Sequence, residues 1–373
     1  MKKKITYILF GIDKAPAFEW IIGRINRQKF HLEFLLISDK KNTHIEEHCI
    51  SNNIPFYKIE YTSKKDIPAS VWKVYKILRN TKPDAVHAHI FEGGLIGITA
   101  AFLARIPQRI YTRHYSTYHH QFHPNGVKYD KIINQLSTHV VAICNNVRDI
   151  LIQLEKVPEN KVYLIRHGFD LEDFYNVSEV RINAIKSKYN PANKSPVIGV
   201  VSRYTFWKGI QYIIPVFKNI LKKYPNALLV LANANGDYKK EIKKLLEDLP
   251  VGSYTEITFE NDNAALFKLF DVFVHVPIDK NVEAFGQIYV EALAAGAPSV
   301  FTPSGVSPEF VVNGKNAVLV DFNNSKQIED AIVRILENKE FKDTIIENAK
   351  MNLDNFFSLN LMIDKLEKLY EQQ

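Results

Sequence analysis

Two glutamates stand in the stretch VEAFGQIYVEALAAGAP, residues 282–298, at a spacing that could hold a polyol beside an anion. Glu283 precedes a Phe-Gly pair, and Glu291 follows eight positions later in an Ala-rich segment that ends at a Gly and a Pro. This pattern predicts a short helix that begins near Phe285 or Gly286. The first N–H groups of a helix have no partner within it and its dipole is positive there, so a diphosphate could bind at this helix start without a metal.

Each glutamate also has an ordinary explanation. Glu283 could be a carboxylate that the dipole of the following helix stabilises. For Glu291 that explanation is weaker, because its neighbours in the sequence are apolar and a buried, unpaired carboxylate is costly. A ligand role therefore stays open, in which Glu291 accepts hydrogen bonds from vicinal hydroxyls and Glu283 accepts them from another polyol.

A basic loop, SRYTFWKG at residues 202–209, follows the first predicted strand of the second half. It offers Arg203, Lys208 and a glycine where the next helix begins, a combination suited to an anion such as phosphate. The loop is neither a Walker loop nor a full GxGxxG motif, so a basic loop that contacts only water is the competing interpretation.

Histidines are concentrated in the first half, which holds eleven of the twelve. The segment RHYSTYHHQFHP, residues 113–124, has no HExxH order and no nearby Cys or carboxylate ligand, so we predict no metal there. A plain surface loop and an acceptor-binding loop that includes His119 are the remaining interpretations. His89, at the end of AVHAH, and Glu92, where the next helix opens, are two further candidates for the acceptor side.

Short β-branched runs alternate with longer amphipathic stretches along the chain, which indicates βα units. The predicted strands of the first half are ITYILF, HLEFLLIS, PFYKIE, AVHAH, QRIYTRH, HVVAIC and KVYLIRHG. Those of the second half are PVIGVVSR, ALLVLAN, YTEITFE, VFVHVP, PSVFT and AVLVD. We therefore predict an α/β protein with two doubly wound, Rossmann-like domains facing each other across a cleft, in which ligands bind beyond the carboxyl ends of the strands.

The polar, Pro-bearing stretch YNPANKSP separates the two series of strands and predicts the domain boundary. It divides the chain into residues 1–190 and residues 191–373, with the C-terminal helix as a candidate to pack back on the first domain. A chain of 373 residues exceeds the size at which one core usually stays undivided, which also favours two domains.

The bulk properties indicate a reducing compartment. The chain has only two cysteines and no CxxC pattern, so neither a disulfide framework nor a zinc site is predicted. The N-terminal MKKKITYILFGIDK lacks the apolar run of a signal peptide, and the longest later apolar run, GGLIGITAAFLA, is shorter than the ~20 residues that span a bilayer. We expect a cytoplasmic protein, with a peripheral position at the inner face of the cell membrane as a second expectation.

Charge is distributed unevenly. Residues 1–196 hold 29 Lys and Arg against 18 Asp and Glu, whereas residues 197–373 hold 19 against 23. A basic first half suits an anionic partner such as a membrane surface or a lipid-phosphate acceptor, and a merely solvated basic surface is the alternative. Nucleic acid is disfavoured, because no recognition helix or aromatic ladder accompanies the basic residues.

The second half resembles a known family. The Glu283, Phe-Gly and Glu291 pattern, the AAGAP turn, the stretch SGVSPEFVVNGKNAVLV and the loop SRYTFWKG are similar to the retaining nucleotide-sugar glycosyltransferases of group 1, also called family 4. Weaker similarities in the first half are PDAVHAH, YTRHYS, VVAICNNVRD and IRHGFDLEDF. The resemblance implies the two-domain GT-B fold, with residues 1–190 binding the acceptor and residues 191–373 binding the nucleotide-sugar.

The resemblance also implies roles for individual residues. Arg203 and Lys208 would bind the donor diphosphate, Glu291 the ribose hydroxyls, and Glu283 the hydroxyls of the transferred sugar. The backbone N–H groups of Ala284, Phe285, Gly286 and Gln287 would lie near the phosphate or sugar. His114 would lie close to the sugar and the reacting carbon, so the implied catalytic residues are Glu283, His114, Arg203 and Lys208.

The implied reaction is the transfer of a sugar from a nucleoside diphosphate, with UDP favoured, to a hydroxyl of a saccharide or lipid-linked acceptor with retained configuration. It is the chemistry of surface polysaccharide or glycolipid biosynthesis. No cofactor and no metal are expected, since the chain has no Asp-x-Asp, and DLED at residues 170–173 is more simply an acidic helix start.

Two stretches depart from the family pattern, and two other functions compete. GIDKAPAF replaces the glycine-rich loop after the first strand, which affects the acceptor or sugar side, and ANANGDY replaces a Gly-x-Gly turn in the second domain. A sugar-nucleotide epimerase on the same fold would need an acid and a base flanking one sugar carbon. A non-catalytic sugar-nucleotide or glycan-binding protein would retain affinity without turnover.

Overall fold

The computed structural model describes residues 2–14, 16–350 and 352–372. Ala15, inside the GIDKAPAF stretch, lies outside the described residues. Contacts divide the chain into two units, the first comprising residues 1–169 and 359–373 and the second residues 170–358.

The first unit is built on seven parallel strands in the order β3-β2-β1-β4-β5-β6-β7. The strands are β1 (Lys3–Phe10), β2 (Phe30–Ile37), β3 (Phe56–Ile59), β4 (Ala85–His89), β5 (Gln108–Arg113), β6 (His139–Ala142) and β7 (Val162–Leu164). Its helices are α1 (Pro16–Arg24), α2 (His44–Ser51), α3 (Ile67–Thr81), α4 (Phe91–Leu103), α5 (Tyr118–Phe122), α6 (Gly126–Leu136), α7 (Asn145–Asp149) and the C-terminal α17 (Leu359–Glu371). A π-helical turn, Ile150–Leu154, continues α7.

The second unit has six parallel strands in the order β10-β9-β8-β11-β12-β13. The strands are β8 (Val197–Val201), β9 (Leu228–Ala232), β10 (Tyr254–Ile257), β11 (Val272–His275), β12 (Ser299–Phe301) and β13 (Val318–Leu319). Its helices are α8 (Glu172–Tyr175), α9 (Glu179–Tyr189), α10 (Ile210–Lys223), α11 (Lys239–Leu246), α12 (Asn263–Lys268), α13 (Gln287–Ala294), α14 (Ser325–Glu337), α15 (Lys339–Lys350) and α16 (Leu353–Phe357).

Each described strand coincides with a segment predicted from the sequence, although β1 begins at Lys3 and β2 at Phe30, ahead of the predicted ITYILF and HLEFLLIS. Their β-branched runs are buried because helices cover the faces of a parallel sheet, which is why the strands read as apolar runs without strict alternation. The strand order reverses direction between β1 and β4 in the first unit and between β8 and β11 in the second. Loops that follow these neighbouring strands diverge, and the crevice between them is where such sheets bind ligands.

The C-terminal helix α17 belongs to the first unit. Tyr370 is fully buried there, and its hydroxyl bonds both the Tyr7 hydroxyl and, at 2.7 Å, Nδ1 of His87. Gln108 donates from Nε2 to the carbonyl of Leu369 at 2.7 Å. The last helix therefore contributes to the core of a unit whose other elements all precede residue 170.

The contact division falls after Phe169, whereas the sequence pattern places the boundary after residue 190. The difference is helix α9 and the short α8, which pack against α12 and α13 of the second unit. Arg181 of α9, for example, is paired with Asp262 at 2.7 Å. The stretch YNPANKSP is a turn that introduces the first strand of the second sheet, so it marks a change of element within that unit.

Candidate functional site

Three loops meet at the carboxyl ends of β8, β11 and β12 in the second unit. The backbone N–H of Ile278 donates to the carbonyl of Trp207 at 3.1 Å, and that of Val306 donates to the carbonyl of Phe285 at 2.9 Å. Gly209 has a φ of +75°, and a Cβ there would stand 1.9 Å from the carbonyl oxygen of Val276. These contacts fix the basic loop 202–209 beside the loop that carries Glu283, at the strand-order switch point.

Glu283 is buried and is held by two side chains through one oxygen. Lys208 donates from Nζ to Oε1 of Glu283, and Nε2 of His275 lies 3.2 Å from the same oxygen. His275 is the last residue of β11, so the strand itself positions the imidazole. An anion, a cation and an imidazole from three different segments are thus brought together at the end of the sheet.

The charges of this group follow from its burial and its contacts. Burial alone would raise the pKa of Glu283, but the Lys208 cation and the His275 hydrogen bond outweigh it and hold the pKa below its usual value. Burial lowers the pKa of His275, partly opposed by Glu283. His275 is therefore neutral and donates its single N–H from Nε2 to the carboxylate, and its Nδ1 has no partner among the described residues.

Glu291 lies inside α13 and is half-buried. Its carboxylate makes no ion pair or side-chain hydrogen bond with any described residue. Burial raises its pKa to about 7. A carboxylate this poorly compensated by the protein is suited to accept hydrogen bonds from a ligand.

Helix α13 begins at Gln287, next to the start near Phe285 or Gly286 that the sequence predicts. Gly286 is its N-cap with a φ of +79°, so the chain turns sharply between Phe285 and the helix. The amides of the first turn have no intrahelical carbonyl to bond. Arg203, in the neighbouring loop, is exposed and forms no salt bridge within the described ranges. These groups could together bind an anion.

His89, Glu92 and His114 lie near the strand-order switch point of the first unit. His89 ends β4 and its Nδ1 lies 3.0 Å from Nε2 of His114, which directly follows β5. His114 in turn stacks on His167, with ring centroids 5.5 Å apart. Glu92 lies in the first turn of α4, whose N-cap Ile90 directly follows His89.

His119 lies apart from this group, in a buried charged network. Its Nδ1 lies 2.8 Å from Asp130, which also pairs with Arg113 at 3.2 Å. Arg113 has a second carboxylate partner, Glu155, at 2.6 Å, and its guanidinium lies 3.7 Å from the Tyr115 ring centroid. These contacts connect the segment after β5 to α6, and the assignment of His119 to the acceptor side stays a prediction.

Sequence reasoning missed His275, His167 and the Arg113 network. His275 could have been found, because a histidine ending an otherwise apolar strand directly before the Glu283 loop is in place to contact that loop. Arg113 and its partners could not, because residues 113, 130 and 155 meet only in the folded unit.

Two features are absent from the described residues. No group of three or more His, Cys, Asp or Glu residues is placed to hold a metal ion. No helix within the same residues combines the length and the apolarity needed to cross a bilayer.

Comparison with family models gives two matches. Residues 27–173 match the model described as Glycosyltransferase Family 4, and residues 181–352 match the model described as Glycosyl transferases group 1. Both matches agree with the resemblance seen in the sequence motifs.

Similar proteins include two curated relatives and many solved structures. The capsular polysaccharide biosynthesis glycosyltransferase CapM of Staphylococcus aureus is 26% identical over 99% of this chain and 97% of its own length. The alpha-monoglucosyldiacylglycerol synthase of Acholeplasma laidlawii is 28% identical over 74% of this chain and 72% of its own length. The crystal structure of Anabaena Alr3699/HepE in complex with UDP and glucose has a TM-score of 0.83 at 21% identity and covers 98% of both chains. The predicted fold class, two Rossmann-like domains, is confirmed.

Proposed function

Because this chain belongs to the group 1, family 4 glycosyltransferases, we propose that it transfers a hexose-type sugar from a UDP-sugar to a hydroxyl of a saccharide or lipid-linked acceptor, with retention of configuration. The acceptor oxygen bonds to the anomeric carbon as the bond from that carbon to the phosphate oxygen breaks. The acceptor proton goes to the leaving phosphate oxygen.

The observation that carries the proposal is the Lys208, Glu283 and His275 group at the switch point of the second unit. A donor diphosphate is an anion that Lys208 can bind in place of Glu283. Glu283 can then accept hydrogen bonds from the sugar, while His275 still donates to its carboxylate. The catalytic effect comes from charge placed where negative charge develops on the leaving diphosphate.

The remaining donor contacts follow from the same loops. Arg203 is exposed and available for the diphosphate, and the backbone around 284–287 precedes and opens helix α13. Glu291 is assigned to the ribose hydroxyls because its carboxylate has no compensating contact in the described structure. His114 is assigned to the sugar and Glu92 to the acceptor side, and His89 acts on this side through its contact with His114.

UDP is favoured as the donor nucleotide because the similar Anabaena structure was solved with UDP and glucose. The names of the two relatives, one in capsular polysaccharide biosynthesis and one a glucosyldiacylglycerol synthase, support a saccharide or lipid acceptor.

An anionic membrane surface is a proposed partner of helix α3 and the residues just before it. Residues 64–82 carry six Lys or Arg against one acid, and none of the six forms a salt bridge with a described residue. Trp72 is 55% exposed, stacks on Tyr75 at 5.1 Å and has Lys76 5.4 Å from its ring centroid. Exposed aromatic rings among unpaired cations are typical of surfaces that dock on anionic lipid. Such docking would give the protein a peripheral position at the cytoplasmic face of the membrane.

A donor panel tests the proposed function. The protein is incubated with UDP-, GDP- and ADP-sugars without acceptor. Released nucleoside diphosphate and any sugar-nucleotide isomers are then measured. Slow release of UDP with an α-configured free sugar from an α-linked donor supports transfer with retention. A new sugar-nucleotide isomer would indicate an epimerase, and saturable binding without any product would indicate a binding protein.

A further inference from the structure

His89 is enclosed by aromatic rings at the end of β4. Only 5% of the residue is exposed. Its ring stacks on Tyr7 at 5.6 Å with an interplanar angle of 9°, and Phe18 meets it edge-on at 4.8 Å. The ring therefore has little freedom to turn, and its orientation is set by packing.

Only one of the two ring nitrogens of His89 has a hydrogen-bond partner. Nδ1 lies 3.0 Å from Nε2 of His114, while Nε2 is buried with no partner in the described part of the chain. On His114 the bonded nitrogen is Nε2, which contacts His89, whereas Nδ1 makes no hydrogen bond to a described residue. Nδ1 is thus the nitrogen that His114 can offer to a ligand.

Both rings are neutral. Burial lowers the pKa of His89 well below its usual value, with His87, His114 and His167 adding to the effect. Burial likewise lowers the pKa of His114 to about 3. Each ring therefore carries one N–H at neutral pH, and one of the two rings must donate in the hydrogen bond that joins them.

The two possible arrangements differ in what they leave unpaired. If His114 donated from Nε2, the N–H of His89 would sit on its own Nε2 and point at no acceptor among aromatic rings. If His89 donates from Nδ1, its buried Nε2 carries only a lone pair. Buried N–H groups without an acceptor are rarer than acceptors without a donor. His275 shows the same solution, because its N–H bonds Glu283 and its unpartnered Nδ1 carries no hydrogen.

We propose that His89 is a positioning residue that fixes the tautomer of His114, so that His114 carries its hydrogen on Nδ1 and donates it to the ligand. The ligand identity rests on the proposed function, in which His114 faces the transferred sugar. A neutral donor N–H at this place bonds a sugar oxygen and does not remove the acceptor proton. This agrees with a reaction in which the leaving phosphate takes that proton.

Histidine NMR tests the tautomer independently of catalysis. Protein labelled with ¹⁵N-histidine is studied at pH 7, and the signals of His114 are assigned by their loss in His114→Phe. We expect hydrogen on Nδ1 of His114 in the wild type. His89→Asn, whose amide can donate from nearly the same position, should preserve this tautomer. His89→Leu should give a mixture of the two neutral tautomers of His114. Hydrogen on Nε2 in the wild type, or an unchanged tautomer in His89→Leu, would overturn the proposal.

Donor turnover gives the second readout. His89→Leu should lower turnover about tenfold, the effect of losing one well-oriented hydrogen bond in the transition state, with UDP affinity unchanged. His89→Asn should recover most of the loss. If turnover follows the tautomer in this way, the positioning role is supported. If the tautomer changes as expected while turnover does not, the placement of His114 at the sugar is wrong. A protein that turns over no sugar nucleotide contradicts the proposed function and leaves the NMR result to decide the tautomer.

Discussion

At the scale of single residues, one carboxylate and one cation neutralise each other before any ligand is bound. Lys208 pairs with Glu283, and His275 holds the same carboxylate oxygen. A buried pair that lost one member would leave an uncompensated charge, so the two residues depend on each other. The proposed donor exchanges this internal pair for two ligand contacts, phosphate to Lys208 and sugar to Glu283.

Glu283→Gln should lower kcat for sugar transfer by a factor of about a hundred, while UDP affinity stays within a few-fold of wild type. The amide keeps the shape but loses the negative charge that pairs with Lys208 and that, in the proposed function, orients the sugar. Initial rates with the preferred donor and calorimetric titration with UDP measure the two effects. A variant that lost UDP affinity but retained kcat would place Glu283 at the nucleotide instead.

Glu291→Gln should weaken UDP binding and yet stabilise the free protein above pH 7. Burial raises the pKa of Glu291 from 4.5 to about 7, so the folded protein holds a proton that the unfolded chain releases at lower pH. The stability associated with that proton is present below about pH 4.5 and is lost as the pH rises towards 7. The variant should therefore unfold at a higher temperature than wild type at pH 8, with little difference at pH 4.5. Equal melting temperatures at pH 8 would contradict the burial of this carboxylate.

At the scale of elements, the ends of strands and helices position the candidate site residues. β8 and β11 are neighbours although β8 ends at Val201 and β11 begins at Val272, and the loops after them carry Lys208 and Glu283. Helix α13 begins directly after the Glu283 loop, which brings its first amides to the same edge of the sheet. Helix α3 in the first unit differs from these elements, because its proposed role depends on side chains along its exposed surface, where it presents cations and a tryptophan.

Replacing Lys73, Lys76 and Arg79 of α3 by alanine should weaken binding to anionic vesicles about a hundredfold. Each cation near an anionic surface contributes about 1 kcal/mol, and the effect falls with salt. Co-sedimentation with vesicles of phosphatidylcholine and phosphatidylglycerol in 0.15 M salt measures it. The matched control replaces Lys239, Lys240 and Lys244, three exposed lysines of α11, and should bind as wild type. Equal loss in both triple variants would show a general charge effect and remove α3 as the docking element.

At the scale of the whole molecule, positive charge is divided unevenly between the two halves of the chain. The basic first half carries α3, His89 and His114, whereas the second half, slightly acidic in net charge, has Arg203 and Lys208 in the loop that is proposed to bind the donor diphosphate. In the proposed site, Lys208 and Arg203 supply the positive charge that balances the diphosphate, and no exchangeable ion has a role.

Sugar transfer should therefore persist in EDTA at a rate within about twofold of the untreated protein. Metal-dependent transferases hold their ion with carboxylates next to the phosphates, and fixed side-chain cations replace it in this account. The assay compares the dialysed protein with and without chelator. Activity that disappeared in EDTA and returned with Mn²⁺ would contradict the assigned roles of Arg203 and Lys208.

The sequence by itself determined the fold class, the thirteen strands and the segments that carry the donor-site candidates. These follow from local patterns, since apolar runs, turn residues and helix starts are written in neighbouring positions. The start of α13, expected near Phe285 or Gly286, lies at Gln287, because the left-handed Gly286 ends the turn and caps the helix.

Only the tertiary structure decided which side chains meet. The His275 contact to Glu283, the His89 contact to His114 and the burial of His119 beside Asp130 join residues on different elements. It also decided that α9 packs with the second unit and α17 with the first. The physical reason is that hydrogen bonds and burial depend on distances across the sheet, and the spacing of residues along one strand or helix does not specify those distances.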